Sequence, residues 1–427
     1  MAEDVPRLNL ENLTAAFAQA GALAGAEAGK DAIQLVELAS QAPVMRLVDS
    51  VLLEAVNRRA SDVHIEAFEQ EMAIRYRIDG RCYQVAQPPK TLSLALASRL
   101  KVLANMDVAE SRLPQDGRIL ITVDNRQIDL RVSTLPTIHG ESIVLRVLDK
   151  GSLDKTLSQL GMDPAAQEAI ERLIQRPNGL LLVTGPTGAG KTTTLYACLT
   201  KLNRPEVKLI TTEDPVEYDL NGLVQVAVNA KIGLSFSTSL RAILRHDPDV
   251  IMVGEIRDLE TAQTAVQASL TGHLVFSTLH TNDAPGAVTR LLDMGVEPFL
   301  VTSTVTGVLA QRLIRALCGA CRAPVEPTPE DLAALHLTAD QLSAPLMRAV
   351  GCEACQGIGY TGRTGLYELL ILTEAMRPLV IERASVSELR IRARAEGMRT
   401  LRQDGVTKVL AGVTTVEEMI RETQDYE

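Results

Sequence analysis

Gly185-Pro186-Thr187-Gly188-Ala189-Gly190-Lys191-Thr192 is the stretch on which the fold turns. It fits G-x-x-x-x-G-K-[ST] in the required setting, with the apolar run Leu180 to Thr184 before it as a strand and Thr193 to Leu202 after it as a helix. Glycines let successive backbone N–H groups wrap phosphate oxygens, and the helix N-terminus adds partial positive charge. The pattern predicts a loop for a nucleoside triphosphate such as ATP, formed by residues 185 to 192 with Thr193, with Lys191 reaching the β and γ phosphates and Thr192 ligating Mg²⁺. The alternative is a Gly-rich turn that arose by chance, against which the two flanking elements count.

Further short apolar runs, Val207 to Thr211, Val250 to Val253 and Leu274 to Thr278, repeat the strand-then-helix pattern of an α/β sheet buried on both faces. Each strand leads into or is bracketed by polar residues, at the edge where open α/β sheets assemble their ligand sites. Thr212-Glu213-Asp214-Pro215-Val216-Glu217-Tyr218 offers three carboxylates in five residues, and either Glu213 or Glu217 suits the orientation or deprotonation of an attacking water. Glu255 ends the run Val250-Ile251-Met252-Val253-Gly254 and is placed to hold Mg²⁺ through water. His273 and His280 bracket the next strand, either to contact a phosphate or as hydrogen-bonded structural histidines. An isolated acid at a loop start is as readily a helix cap; the joint placement around one sheet favours a site.

Outside this region the periodicity changes. Val44, Leu47, Val48, Val51, Leu52 and Val56 recur at helical spacing, and then Met72, Ile74, Tyr76 and Ile78 alternate as in a half-buried strand. Asp79-Gly80 supplies a turn, and alternation returns at Ile128 to Val132 and Ile143 to Val147. The organisation expected is an Ala-rich segment 1–42, an α+β domain 43–150, a connector 151–161, an α/β core 162–315, a cysteine module 316–366 and a helical C-terminal part 367–427.

At 427 residues, with 46% hydrophobic and 22% charged residues, the chain supports more than one globular core. A net charge of -10 and 3% aromatics argue against a nucleic-acid binder, which needs basic surface and stacking rings. No run suits a membrane helix and no signal pattern opens the chain, so a cytoplasmic location is expected.

Four of the six cysteines form two pairs, Cys318-x-x-Cys321 and Cys352-x-x-Cys355, with 30 residues between them. That spacing suits two knuckles closing on one tetrahedral Zn²⁺, a structural site with no open position. Redox dithiols or free thiols are the competing readings.

Taken together, the P-loop, the Glu213 to Tyr218 acidic box, Gly254-Glu255 and the Thr271 to His280 box resemble the secretion ATPases, more specifically those of the type II (general) secretion pathway. Ala60-Ser61-Asp62-Val63-His64-Ile65-Glu66, Arg112-Leu113-Pro114-Gln115-Asp116-Gly117-Arg118 and His139-Gly140-Glu141 match the second N-terminal domain of that family, so the resemblance spans roughly 43 to 427. It implies a RecA-like P-loop core with a smaller α+β N-terminal domain and a tetracysteine zinc-binding insertion, ATP hydrolysis, and a homo-hexamer whose N-terminal domains move against the cores. It further implies a motor that assembles pseudopilus subunits and sits peripherally at the inner membrane through partner proteins of the secretion system. By resemblance, Arg118, Arg131 and Arg146 are candidates to reach the nucleotide across a domain or subunit boundary; a charged outer sheet face is the other reading. Family members usually carry a larger first N-terminal domain, for which about 40 residues are too few. Type IV pilus assembly is the neighbouring function within the family, and a DNA-uptake motor the alternative of another class.

Overall fold

The computed structural model describes residues 32–149, 155–342 and 344–424. Most of the Ala-rich segment and the start of the 151–161 connector lie outside the described residues. The chain divides into two compact units, Met1–Leu153 with Gly351–Gly359, and Asp154–Val350 with Tyr360–Glu427.

The first unit is built on six strands: β1 (Ala60–Ala67), β2 (Met72–Ile78), β3 (Arg81–Ala86), β4 (Gln115–Val123), β5 (Arg126–Thr137) and β6 (Gly140–Asp149). Their order is β3-β2-β1-β6-β5-β4, and every neighbouring pair is antiparallel. The alternation seen in the sequence has the expected outcome, because Ile65, Ile74, Tyr76, Leu130 and Leu145 share one core with Leu47 and Val51 of the helix Ala42–Asn57 and Leu96 and Leu100 of Ser93–Leu103. The Tyr76 hydroxyl donates to the Val51 carbonyl at 2.8 Å, pinning helix to sheet. Asp79 and Gly80 both take positive φ, 48° and 86°, as a tight hairpin requires.

Seven strands form the sheet of the second unit: β7 (Gly179–Thr184), β8 (Leu209–Glu213), β9 (Leu223–Ala227), β10 (Val250–Val253), β11 (Leu274–Leu279), β12 (Val305–Leu317) and, beyond the separate antiparallel pair of β13 (Ala323–Val325) and β14 (Leu346–Arg348), β15 (Tyr360–Ile371). The order is β15-β12-β7-β11-β10-β8-β9, parallel throughout except for the β12–β15 pair. Alternate residues of β7 serve two cores. Leu180 and Leu182 pack with Ala265, Ala287 and Val288, while Leu181 and Val183 pack with Ile170, Leu195 and Leu199 on the other face. Sandwiching between helix layers is why these strands read as continuous apolar runs.

Two features differ from the sequence expectation. Strand β8 starts at Leu209 rather than Val207 and runs on to Glu213, so that glutamate belongs to the strand and is 3% exposed. Residues 360–371, expected partly in the cysteine module and partly in the helical end, instead form an edge strand whose period is masked by Gly362 and Gly365. Among the described residues no helix is long and apolar enough to cross a membrane.

Candidate active site

The phosphate-binding pattern lies between β7 and the helix Lys191–Leu202, at the carboxyl edge of the parallel strands. Glycine is required at its first position. Gly185 has φ 150°, and a Cβ there would stand 2.4 Å from the Gln311 carbonyl of β12. Gly190, at φ 84°, caps the helix, and a Cβ on it would meet the Gln311 amide at 2.8 Å. Pro186, Thr187 and Gly188 are exposed, Ala189 is buried, and Thr192 and Thr193 are half-buried in the first helical turn. The Lys191 ammonium is buried and donates to the Gly185 carbonyl at 2.7 Å and the Pro186 carbonyl at 3.1 Å. Burial pushes it down to about 8; Glu255 opposes that shift and Arg312 adds to it.

The turn after β10 is fixed from both sides, because Gly254 N–H donates to Thr212 and Ile256 N–H donates to Thr278. Between these anchors Glu255 meets Arg257 at 2.5 Å and His280 Nε2 at 3.4 Å. Burial raises its carboxyl, but Arg257 and His280 outweigh that and hold it below the ordinary value. Nδ1 of His280 is 3.5 Å from the Lys191 ammonium, so the histidine bridges P-loop lysine and strand-end acid. Its turn is held by the Thr184 hydroxyl, which lies 2.8 Å from the Thr281 hydroxyl and 2.9 Å from the Thr281 N–H that donates to it.

The remaining candidates separate. Glu213 accepts from Tyr196, Thr211 and Gln225 and is enclosed in that network. Glu217 lies in the loop beyond, half-buried. His273 requires correction as a phosphate contact within one chain: it precedes β11, at the opposite end of that strand from His280, and its Nδ1 lies 2.9 Å from the Ala268 carbonyl. Arg118, Arg131 and Arg146 belong to the first unit, where they are direct cross-strand partners on β4, β5 and β6. Asp62 of β1 continues the row and pairs with Arg77 of β2. Arg118 is held by Asp129 at 2.6 Å, and Asp62 stands 3.5 Å from both Arg146 and Arg77.

Several site residues escaped the sequence reading. Gln311 accepts from Thr194 of the P-loop helix at 2.7 Å, and Arg312 donates to the Asn282 carbonyl at 3.1 Å. The signal was the polar pair Gln311-Arg312 inside the otherwise apolar stretch Val308 to Ile314 of β12.

The four Sγ atoms of Cys318, Cys321, Cys352 and Cys355 lie within 4.8 Å of one another. The 3.7 Å between those of Cys352 and Cys355 is far beyond a disulfide and matches the ~3.8 Å edge of a tetrahedron with Zn–S bonds of about 2.3 Å. Cys355 Sγ accepts from the Cys352 and Gly359 N–H groups, both at 3.1 Å, the support a thiolate ligand needs.

A P-loop at the carboxyl edge of a parallel sheet, with a strand-end glutamate and a histidine beside its lysine, defines a RecA-like ATPase core. The family model for type II/IV secretion system proteins matches residues 37–421, and the chain belongs to that family. It is 52% identical over 391 residues to the type II secretion system protein HxcR of Pseudomonas aeruginosa, covering 92% of this chain and 80% of that one. Over 393 residues it is 50% identical to the type II secretion system ATPase E of Vibrio cholerae, covering 92% and 77%. Among solved structures, the pilus retraction motor PilT with bound ADP aligns at TM-score 0.58 and 28% identity, covering 88% of this chain and 96% of that one. The Legionella pneumophila ATPase DotB aligns at 0.62 and 21%, covering 87% and 93%, a likeness of fold.

Proposed function

We propose that this chain hydrolyses ATP to ADP and phosphate as the cytoplasmic motor of a type II secretion system, driving pseudopilus assembly. The observation that carries the reading is the contact of Lys191, His280 and Glu255 at the carboxyl edge of the parallel sheet, beyond β7, β11 and β10, in a chain half identical to proteins named for that system.

Residues 185–193 hold the phosphates, with Lys191 leaving the Gly185 and Pro186 carbonyls for the β and γ oxygens. Thr192 and Glu255 would hold Mg²⁺, which neutralises phosphate charge when bound. His280 stands where a change at the γ phosphate alters its contact with Glu255. Glu217 is the better base, because the carboxylate of Glu213 already accepts three hydrogen bonds. The row Arg118, Arg131 and Arg146 offers guanidinium groups for a nucleotide supplied by a neighbouring core, in a homo-hexamer attached to the inner membrane through its partners. Cys318, Cys321, Cys352 and Cys355 hold a structural Zn²⁺.

The test is a cell of the native species whose own copy carries Lys191→Ala. Exported proteins should accumulate in the periplasm while surface pili persist. Lost pili with intact export would assign type IV pilus assembly instead, and phosphate release stimulated by DNA would assign a nucleic-acid motor.

A further inference from the structure

Glu368 is 1% exposed on β15, opposite Ala310 of β12, which in turn lies opposite Thr184, the last residue before the P-loop. Its Oε1 accepts the N–H of Ala284 at 2.8 Å and its Oε2 the N–H of Leu401 at 3.3 Å. These are the first residues of two helices, Ala284–Asp293 and Leu401–Leu410, so one internal carboxylate serves both N-termini. Ala284 closes the turn that begins at His280. That turn is tied to the P-loop strand by Thr281, to Arg312 by Asn282 and to the helix Val386–Ala395 by the Asp283–Arg390 pair, and Glu368 is its tie to the helix Leu401–Leu410. Asn282, Arg312, Thr400, Leu401 and Arg402 line one small cavity there.

We propose that Glu368 is a positioning residue for hydrolysis: its ionised carboxylate binds the His280 turn to the helix Leu401–Leu410, and the turn keeps its place beside Lys191 only while both amides are held. The proposal rests on the ATPase reading for its kinetic consequence and on geometry alone for its structural one. The charged groups facing this pocket are Asp283, paired with Arg390 of the helix Val386–Ala395, and Asp404, which accepts from Tyr367 N–H and pairs with Lys408. Burial and Asp283 push the Glu368 carboxyl up to about 7 against the two amides and Arg390. Protonation removes acceptor capacity, so the tie weakens as pH falls through that value.

Two measurements on the full chain test this. In ATP turnover from pH 5.5 to 8.5, the parent should show an acid limb near pH 7, and Glu368→Gln should lose that limb. The variant's kcat at pH 8 should be about tenfold lower and its KM within about threefold, as expected when a transition-state arrangement and not binding is lost. An acid limb that persists in the variant overturns the proposal. Hydrogen exchange on the parent needs neither activity nor a folded variant. Corrected for intrinsic rate, protection of the Ala284 and Leu401 amides should fall together below pH 7, while Thr261, capped by Asp258, stays constant. Independent or pH-invariant behaviour of the two amides also overturns it, and absence of turnover alone would remove only the motor reading.

Discussion

Gly190→Ala tests whether this loop shape is the one that binds nucleotide. At φ 84° an L side chain costs about 1–2 kcal/mol. Its Cβ would also come within 2.8 Å of the Gln311 amide, displacing the bond from the Thr194 hydroxyl at 2.7 Å, worth about 1 kcal/mol. Together these disfavour the binding conformation by about 2–3 kcal/mol, and at 1.4 kcal/mol per tenfold the apparent Kd for ATP rises roughly 30- to 150-fold. Gln311→Ala alone should cost about 1 kcal/mol for the same hydrogen bond. Because the glycine change has already broken that bond, the double variant should bind about as weakly as Gly190→Ala alone, a non-additivity of about 1 kcal/mol. Equilibrium titration of the full chain with a fluorescent ATP analogue reads all four corners. Affinity of Gly190→Ala within threefold of the parent, or complete additivity of the two changes, would refute the reasoning.

Other outcomes follow from the same contacts. Since the Lys191 ammonium is lowered to about 8 in the nucleotide-free chain, it loses its proton as pH rises through 8; ATP should then bind more weakly and take up a proton on binding. Calorimetry at pH 8.5 in two buffers of different ionisation heat should therefore disagree, and identical heats would count against it. Glu418→Ala removes the buried carboxylate paired with the Arg315 guanidinium, which is 5% exposed, whereas Arg421 turns to solvent; breaking a buried ion pair by removing one partner costs about 3–5 kcal/mol. Exchange protection in the helix Val416–Glu422 should drop by at least about a hundredfold, with most of it regained in Arg315→Met with Glu418→Leu. Metal analysis should find about one zinc per chain, lost in Cys352→Ser with a lower melting temperature but nucleotide affinity within about threefold.

Sequence made the core of this site readable where local chemistry and chain order coincide. The P-loop, Glu255 and His280 each end or follow a continuous apolar run, and a parallel sheet brings those ends to one edge. It was silent where register decides. That Arg118, Arg131 and Arg146 are direct partners depends on how three strands pair, and no single strand carries that information. Glu368 sits in an edge strand with glycines in its pattern, so its burial and its two amides became visible only with the fold. His273 misled because it flanks the same strand as His280, and a parallel strand sends its two ends to opposite edges of the sheet.

Phosphate release from ATP by the purified, assembled full chain, parent against Lys191→Ala, bears most directly on the central claim. A motor built on the loop 185–193 predicts Mg²⁺-dependent release by the parent and release at background level by the variant. Turnover by Lys191→Ala at the parental rate would contradict it.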